Sequence, residues 1–372
     1  AILFEAIREK VSDVHIEPYS KELVIRFRRD GVLKSSLTSQ VKIAPFLVTR
    51  IKVLARLDIA EKRVPQDGRL TVKLGGKDVD LRVSTMPSVY GERVVLRLLD
   101  KEDTSLDLIT LGMGQENLKK IDKLINKPHG IILVTGPTGS GKTTTLYACL
   151  RKLDRASLNI MTIEDPIEYY FDGISQTQVN SKANMSFARG LRAILRQDPD
   201  VVLVGEIRDT ETAKISVQAS LTGHLVLSTL HTNTAIGAIT RLRDMEIEPF
   251  LLASTVQAVM SQRLVRRLCS DCKEEYSPPA YEQKLLKLKN KQKLFRAVGC
   301  DQCYNTGYSK RMAVYELILV DDKLREMINT NKSEGELAAY ARKQSISIVD
   351  SSYELARQGE TDLAEVIRVV QE

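Results

Sequence analysis

Tryptophan is absent from the chain, and all aromatics together make up 5% of its 372 residues. Nowhere do aromatic and basic residues interleave as a platform for stacking single strands requires. The positive excess is mild, +7 at neutral pH with a pI of about 9.0. It reads as solvated lysine and arginine; it leaves room for an acidic partner or an anionic membrane surface, and no nucleic acid is expected. Long apolar runs are missing too. The longest, Phe250 to Met260, is interrupted by Ser254, Thr255 and Gln257, short of the roughly 18–20 residues of a membrane helix. There is no repeat, no low-complexity segment and no secretory leader: Ala1 opens directly into Ile2-Leu3-Phe4-Glu5-Ala6-Ile7, part of an amphipathic helix. A chain that begins without Met, inside a helix, reads as a fragment lacking an N-terminal region. Cysteine is scarce, with five residues; four are paired by spacing, which argues for metal in a reducing cytoplasm and against disulfides.

What is present is the composition of a folded soluble protein, 43% hydrophobic and 28% charged, with enough length for two to four domains. Its centre is Gly136-Pro137-Thr138-Gly139-Ser140-Gly141-Lys142-Thr143, followed by Thr144. This fits G-x-x-x-x-G-K-[ST], the loop that cradles nucleotide phosphates. Ile131-Ile132-Leu133-Val134 before it reads as a buried parallel strand; Thr143 to Leu153 after it reads as a helix, with Leu146, Leu150 and Leu153 on one side. Gly139 and Gly141 let successive backbone N–H groups point at one anion. The helix N-terminus adds its partial positive charge. Lys142 is placed to reach the β- and γ-phosphates, and the Thr143 hydroxyl to hold Mg²⁺. ATP and Mg²⁺ are the expected ligands.

Three more apolar runs follow, each ending in a polar cluster: Ile160 to Ile163 before Glu164-Asp165, Val201 to Val204 before Gly205-Glu206-Ile207-Arg208-Asp209, and Leu225 to Leu230 before His231-Thr232. Helical patterns separate them. The alternation predicts a doubly wound α/β core, whose ligands bind at the C-terminal ends of the strands. Glu206 lies where a carboxylate should meet Mg²⁺ or the attacking water, and Glu164 ends a neighbouring strand; the pair suits metal binding and water orientation. His224 and His231 flank the last strand, placed either to sense a γ-phosphate or to satisfy core hydrogen bonds.

Before this core, alternating runs at 14–16, 23–28, 69–74, 79–83 and 94–99 predict strands, with turns at Asp30-Gly31 and Gly75-Gly76. A helix is expected over 43–57, with Arg50, Lys52 and Arg56 off its apolar face. This small α+β domain is rich in arginine: Arg63, Arg69, Arg82, Arg93 and Arg97. They form either a basic sheet face or arginine fingers reaching a phosphate at a domain or subunit boundary. His15, between Val14 and Ile16, reads as structural. After the core come Cys269-x-x-Cys272 and Cys300-x-x-Cys303. Two such pairs close a tetrahedral site with no position left for water, a structural metal, Zn²⁺ first and iron second. The stretch Lys284 to Lys293 between them reads as a helical hairpin arm. The solitary Cys149 reads as core.

The combination resembles the type II secretion ATPases, within the larger group of secretion and type IV pilus motors. The stretches that carry the resemblance are Ser12 to Pro18, Arg63 to Arg69, Arg82 to Pro87, the phosphate loop, Glu164-Asp165-Pro166, Val204 to Asp209, Thr222 to Thr232 and the four cysteines. The chain departs from the family pattern at Ser309-Lys310-Arg311 and over Ser345 to Tyr353. The resemblance implies a RecA-like P-loop domain with the smaller N-terminal α+β domain, a four-cysteine metal-binding insertion and a C-terminal helical subdomain. The corresponding bounds are 1–100 for the first domain, 101–111 for a linker, 112–265 for the ATPase core, 266–316 for the zinc subdomain and 317–372 for the helices. It further implies a hexameric cytoplasmic motor, peripheral on the bacterial inner membrane through secretion platform proteins, that drives pseudopilus assembly for protein export. By the same resemblance Glu206 stands where the family's Mg²⁺-associated glutamate does, Glu164 belongs to the acidic stretch, His231 to the His stretch near the γ-phosphate, and Arg69, Arg82 and Arg97 are offered to nucleotide. The alternatives are a type IV pilus assembly ATPase and, from another class, a nucleic-acid-dependent ATPase using the cysteines as a DNA-binding ribbon.

Overall fold

The computed structural model describes residues 2–74, 77–99, 106–288 and 292–370. It divides into two units, Ala1–Thr104 and Ser105–Glu372. The Gly75-Gly76 turn, residues 101–105 of the expected linker and the middle of the lysine-rich arm lie outside the described residues.

The first unit contains α1 (Ile2–Arg8), β1 (Asp13–Pro18), β2 (Glu22–Arg29), β3 (Val32–Gln40), α2 (Ala44–Leu54), β4 (Gln66–Leu74), β5 (Lys77–Ser88) and β6 (Gly91–Leu99). The strands make one antiparallel sheet in the order β3-β2-β1-β6-β5-β4. Period-two alternation decides its faces. Val14 and Ile16 lie opposite Leu96 and Val94, and with Val83 and Ile25 they pack on Ala6, Val48 and Ile51 of the two helices. Asp13, His15 and Glu17 point to the other face. Asp30 and Gly31 both have positive φ, 46° and 82°, as a two-residue hairpin between right-twisted strands demands. Lys52 corrects the expected exposed face of α2. It is buried, its ammonium 2.5 Å from Glu92 and donating to the Glu61 carbonyl at 2.7 Å. A lysine at that depth is costly unless its charge is paired, and these two contacts pair it.

The second unit runs α3 (Gln115–Ile125), β7 (Gly130–Thr135), α4 (Lys142–Lys152), β8 (Ile160–Glu164), β9 (Ser175–Gln178), α5 (Phe187–Ile194), β10 (Val201–Val204), α6 (Thr210–Leu221), β11 (Leu225–Leu230), α7 (Ala235–Asp244), α8 (Pro249–Thr255) and β12 (Val256–Leu268). It continues with β13 (Glu274–Tyr276), α9 (Ala280–Leu285), β14 (Leu294–Arg296), β15 (Tyr308–Leu319), α10 (Asp322–Asn329), α11 (Glu334–Ala341), α12 (Ile348–Arg357) and α13 (Leu363–Val370). Seven strands form one sheet, β15-β12-β7-β11-β10-β8-β9, parallel throughout except for β15. Both faces are covered, which is why the strands read as unbroken apolar runs. Along β7, Ile131 and Leu133 enter one core while Ile132 and Val134 enter the other.

β12 and β15 pair from Ala258–Leu319 to Leu268–Tyr308, so each strand runs straight through the expected domain limits at 265/266 and 316/317. The cysteine segment is an insertion between these two strands. No helical hairpin arm is seen there among the described residues. A short helix, α9, leads instead into β14, which pairs with β13. Among the described residues no helix is long and apolar enough to cross a membrane.

Candidate active site

The loop after β7 is shaped by its glycines. Gly136, Gly139 and Gly141 have φ of 143°, 80° and 82°, values that side-chain-bearing residues rarely adopt. At Gly136 space is a second constraint: a Cβ there would lie 2.4 Å from the Gln262 carbonyl oxygen. Gly141 is the N-cap of α4, so Lys142, Thr143 and Thr144 occupy the first helical turn, where backbone N–H groups lack intrahelical partners. Thr138 and Gly139 form the exposed crest. Lys142 is buried and donates to the carbonyls of Gly136 and Pro137 at 2.9 and 3.0 Å. Burial pushes its ammonium down to about 8; the Glu206 carboxylate opposes that shift and the Arg263 guanidinium adds to it. The loop therefore holds a buried cation within reach of the Glu206 charge.

Glu206 follows β10 and meets the residue that follows β11. Its Oε2 lies 3.5 Å from His231 Nε2, and its Oε1 pairs with Arg208 at 2.5 Å. His231 is held below the ordinary imidazole range, by burial first and by the charge of Lys142 second. At neutral pH it is an uncharged ring, able to donate one hydrogen bond and accept another. A lysine, a carboxylate and a neutral imidazole thus converge at the C-terminal edge of adjacent strands, where an open parallel sheet binds its ligands.

Glu164, expected to pair with Glu206, is not brought to this cluster. Its side chain is 2% exposed and turned inward. It accepts from the hydroxyl of Tyr147, from Thr162 Oγ1 at 2.5 Å and from Gln176 Nε2 at 3.2 Å. Burial raises its pKa, against the pull of those three donors. His224 is separated from the cluster as well. It precedes β11, at the opposite end of the sheet from the phosphate loop, and its Nδ1 lies 2.8 Å from the Ala219 carbonyl at the close of α6. Of its two readings, the structural one holds. Cys149 is buried in α4, its thiol pushed up to about 12 by that burial.

The four cysteines converge. Their sulfurs all lie within 4.8 Å of one another, with Cys269–Cys300 at 3.9 Å and Cys272–Cys303 and Cys300–Cys303 at 3.8 Å. A tetrahedron built on metal–sulfur bonds of about 2.3 Å has edges of about 3.8 Å. Backbone N–H groups of Gly299, Cys300 and Gly307 point at the sulfurs from 3.2–3.3 Å, the outer-shell donors that orient metal thiolates. The cluster is able to hold a metal ion.

Residues 1–368 match the family described as type II/IV secretion system protein. The chain belongs to the type II/IV secretion system family. Along its whole length it is 59% identical to the type II secretion system ATPase E of Vibrio cholerae, covering 74% of that protein. It is equally 59% identical, again over 74% of the relative, to the type II secretion system protein E of Pseudomonas aeruginosa. Among solved structures it is similar to the pilus retraction motor PilT with bound ADP, with a TM-score of 0.65, 27% identity and coverage of 99% of this chain and 95% of that one. The Legionella pneumophila ATPase DotB shares the fold, with a TM-score of 0.73 at 20% identity over 99% and 93% of the two chains. The type II relatives place this chain with the secretion ATPases, the family that its motifs resemble.

Two residues of the secretion ATPase's phosphate loop environment escaped the sequence reading. Gln262 and Arg263 lie on β12 just past the Ser261–Thr135 pair, the last in register with β7. Gln262 Nε2 donates to the Ser140 carbonyl at 2.8 Å. The only signal in the sequence was a pair of polar residues in a strand buried on both sides. Tyr147 was missed in the same way. It is a fully buried phenol on α4 whose hydroxyl, bonded to Glu164, also accepts the Glu168 N–H at 3.3 Å.

In the first unit, Arg69 lies opposite Arg82 and Arg82 opposite Arg97, in register across β4, β5 and β6. All three therefore share the polar face. Arg97 is held by Asp13 at 2.8 Å, whereas Arg69 and Arg82 make no ion pair among the described residues. Arg93 and Arg26 clasp Glu17 at 2.6 and 2.7 Å, and His15 Nδ1 lies 3.1 Å from Arg93. Arg63 pairs with Glu61 at 2.8 Å.

Proposed function

We propose that this secretion ATPase is the cytoplasmic, hexameric motor that hydrolyses ATP to assemble a pseudopilus, and that it works peripherally on the inner membrane through the secretion platform. The observation that carries the hydrolytic part is the convergence of Lys142, Glu206 and His231 on one glycine-shaped loop. The surroundings suit a magnesium nucleotide. Among the described residues the buried polar atoms Thr135 Oγ1, Ser140 Oγ, Ser261 Oγ and Gln262 Oε1 have no hydrogen-bond partner, and none of those residues comes within 4 Å of a Cβ placed on Gly139. Such atoms remain unpaired in a folded protein where a ligand or water completes them.

In this reading the loop from Gly136 to Thr144 binds the phosphates by backbone N–H groups, and Lys142 neutralises their charge. The hydroxyl of Thr143 and the carboxylate of Glu206 hold Mg²⁺, which supplies charge neutralisation on the phosphate oxygens. Glu206 and neutral His231 orient the attacking water. Glu164 sets α4 against β8 through Tyr147 and works from behind the site. Arg69, Arg82 and Arg97 are offered to nucleotide bound on a neighbouring subunit, which makes hydrolysis depend on assembly. The four cysteines hold Zn²⁺ as a structural ion.

Replacing Lys142 with Ala tests the site: hydrolysis should vanish while the fold and the assembly are retained. Normal turnover in that variant would remove the phosphate-loop assignment.

A further inference from the structure

Arg263 ties together two loops that the reaction needs in register. β12 runs parallel to β7 until Ser261 faces Thr135, and β7 then gives way to the phosphate loop while β12 continues. The loop backbone at Gly136 packs directly on the Gln262 carbonyl, so tightly that no Cβ fits between them. Arg263 Nη1 donates to this same carbonyl at 3.2 Å, and its Nη2 donates to the carbonyl of Asn233 at 2.9 Å. Asn233 belongs to the short segment that carries His231 out of β11 and into Thr234, the N-cap of α7. One planar guanidinium, on a residue 7% exposed, therefore spans the wall of the phosphate loop and the histidine loop. A fork of fixed N–H donors suits such a bridge; a lysine ammonium, a point charge on a flexible stem, does not reproduce it.

We infer that Arg263 is a positioning residue of hydrolysis, the tie that keeps His231 in register with Lys142 and Glu206. It acts through two carbonyls, and a displacement of a catalytic side chain by about 1 Å is enough to lower a rate by up to about 100-fold. Its outer side lines a cavity of about 670 Å³ shared with Glu316 and Arg342, so a small cation has a route to the position when the side chain is shortened.

The inference rests on the hydrolytic reading above. It is tested on the full chain with Arg263→Lys and Arg263→Ala, by steady-state ATP hydrolysis and by amide hydrogen exchange. For both variants the expected result is a kcat lower by about 10- to 100-fold with the KM for ATP within about twofold. Exchange should become faster over residues 136–145 and 233–240 and stay unchanged in β8 and β10. Millimolar guanidinium should restore much of the rate of Arg263→Ala and none of that of Arg263→Lys, whose side chain fills the place. An unchanged kcat, or exchange that quickens evenly through the unit, overturns the inference. Arg263→Lys retains the charge and keeps the test decisive if Arg263→Ala does not fold. Failure of the wild-type chain to hydrolyse ATP would overturn the hydrolytic reading instead, and hydrogen exchange would still decide whether Arg263 joins the two loops.

Discussion

Binding of a nucleotide polyphosphate should draw a proton onto Lys142, in an amount that follows from the burial of that side chain. The ammonium is pushed from the usual 10.5 down to about 8, by desolvation with Arg263 adding to it and Glu206 opposing. At pH 8.5 a group titrating near 8 is roughly three-quarters neutral, and at pH 7 only about one-tenth is. A polyanion seated in the loop favours the charged form. Binding should then take up about 0.7 proton per site at pH 8.5 and about 0.1 at pH 7. Titration calorimetry with a non-hydrolysable ATP analogue, repeated in two buffers of different ionisation enthalpy, measures that uptake. Lys142→Arg stays protonated at both values and should take up none at pH 8.5. Equal uptake in wild type and Lys142→Arg, or no uptake at pH 8.5, would refute the claim that a desolvated lysine waits in the loop.

Gly136→Ala should destabilise the nucleotide unit by about 2–3 kcal/mol, through strain at φ 143° and displacement of the Gln262 carbonyl; chemical denaturation reads this directly. Replacing Cys269 and Cys272 with Ser should release about one metal per chain and loosen residues 269–308 while the parallel strands stay protected; metal analysis that finds none in the native protein would defeat it. Tyr147→Phe should cost about 1–3 kcal/mol at pH 7, because it strips a donor from the buried Glu164. The raised native pKa of that carboxyl means that unfolding releases protons and that its contribution weakens as pH rises. The Tyr147 hydroxyl itself favours the charged form of Glu164, so the penalty of Tyr147→Phe should shrink as pH falls through that raised value, and a pH-independent penalty would contradict it.

Much of this was legible because it is enforced locally. The phosphate loop is written in glycines whose φ values leave no substitute, and the parallel strands in apolar runs covered on both faces. The cysteine cluster follows from two pairs that each place their sulfurs on one turn. What was not legible depends on residues far apart in sequence. Glu164 ends its strand as Glu206 nearly does, but Tyr147 from α4 and Gln176 from β9 enclose it, and nothing in residues 160–168 announces that. Lys52 looks like a solvated helix residue until Glu92 and the Glu61 carbonyl are found beside it. β12 and β15 carry the main sheet through the cysteine insertion, so the composition changes where the fold does not. His224 was decidable from the start: a residue that precedes a parallel strand lies at the end away from the ligand.

The central claim is that an assembled motor hydrolyses ATP at the Lys142, Glu206 and His231 site with arginines from a neighbouring copy. It is tested most directly by measuring specific ATPase rate against protein concentration while the mass of the assembly is followed. A rate that rises as hexamers form, and that falls when Arg69 or Arg82 is replaced without loss of assembly, is the result expected. A constant rate on a monomer would contradict it, because the site would then be complete within one chain.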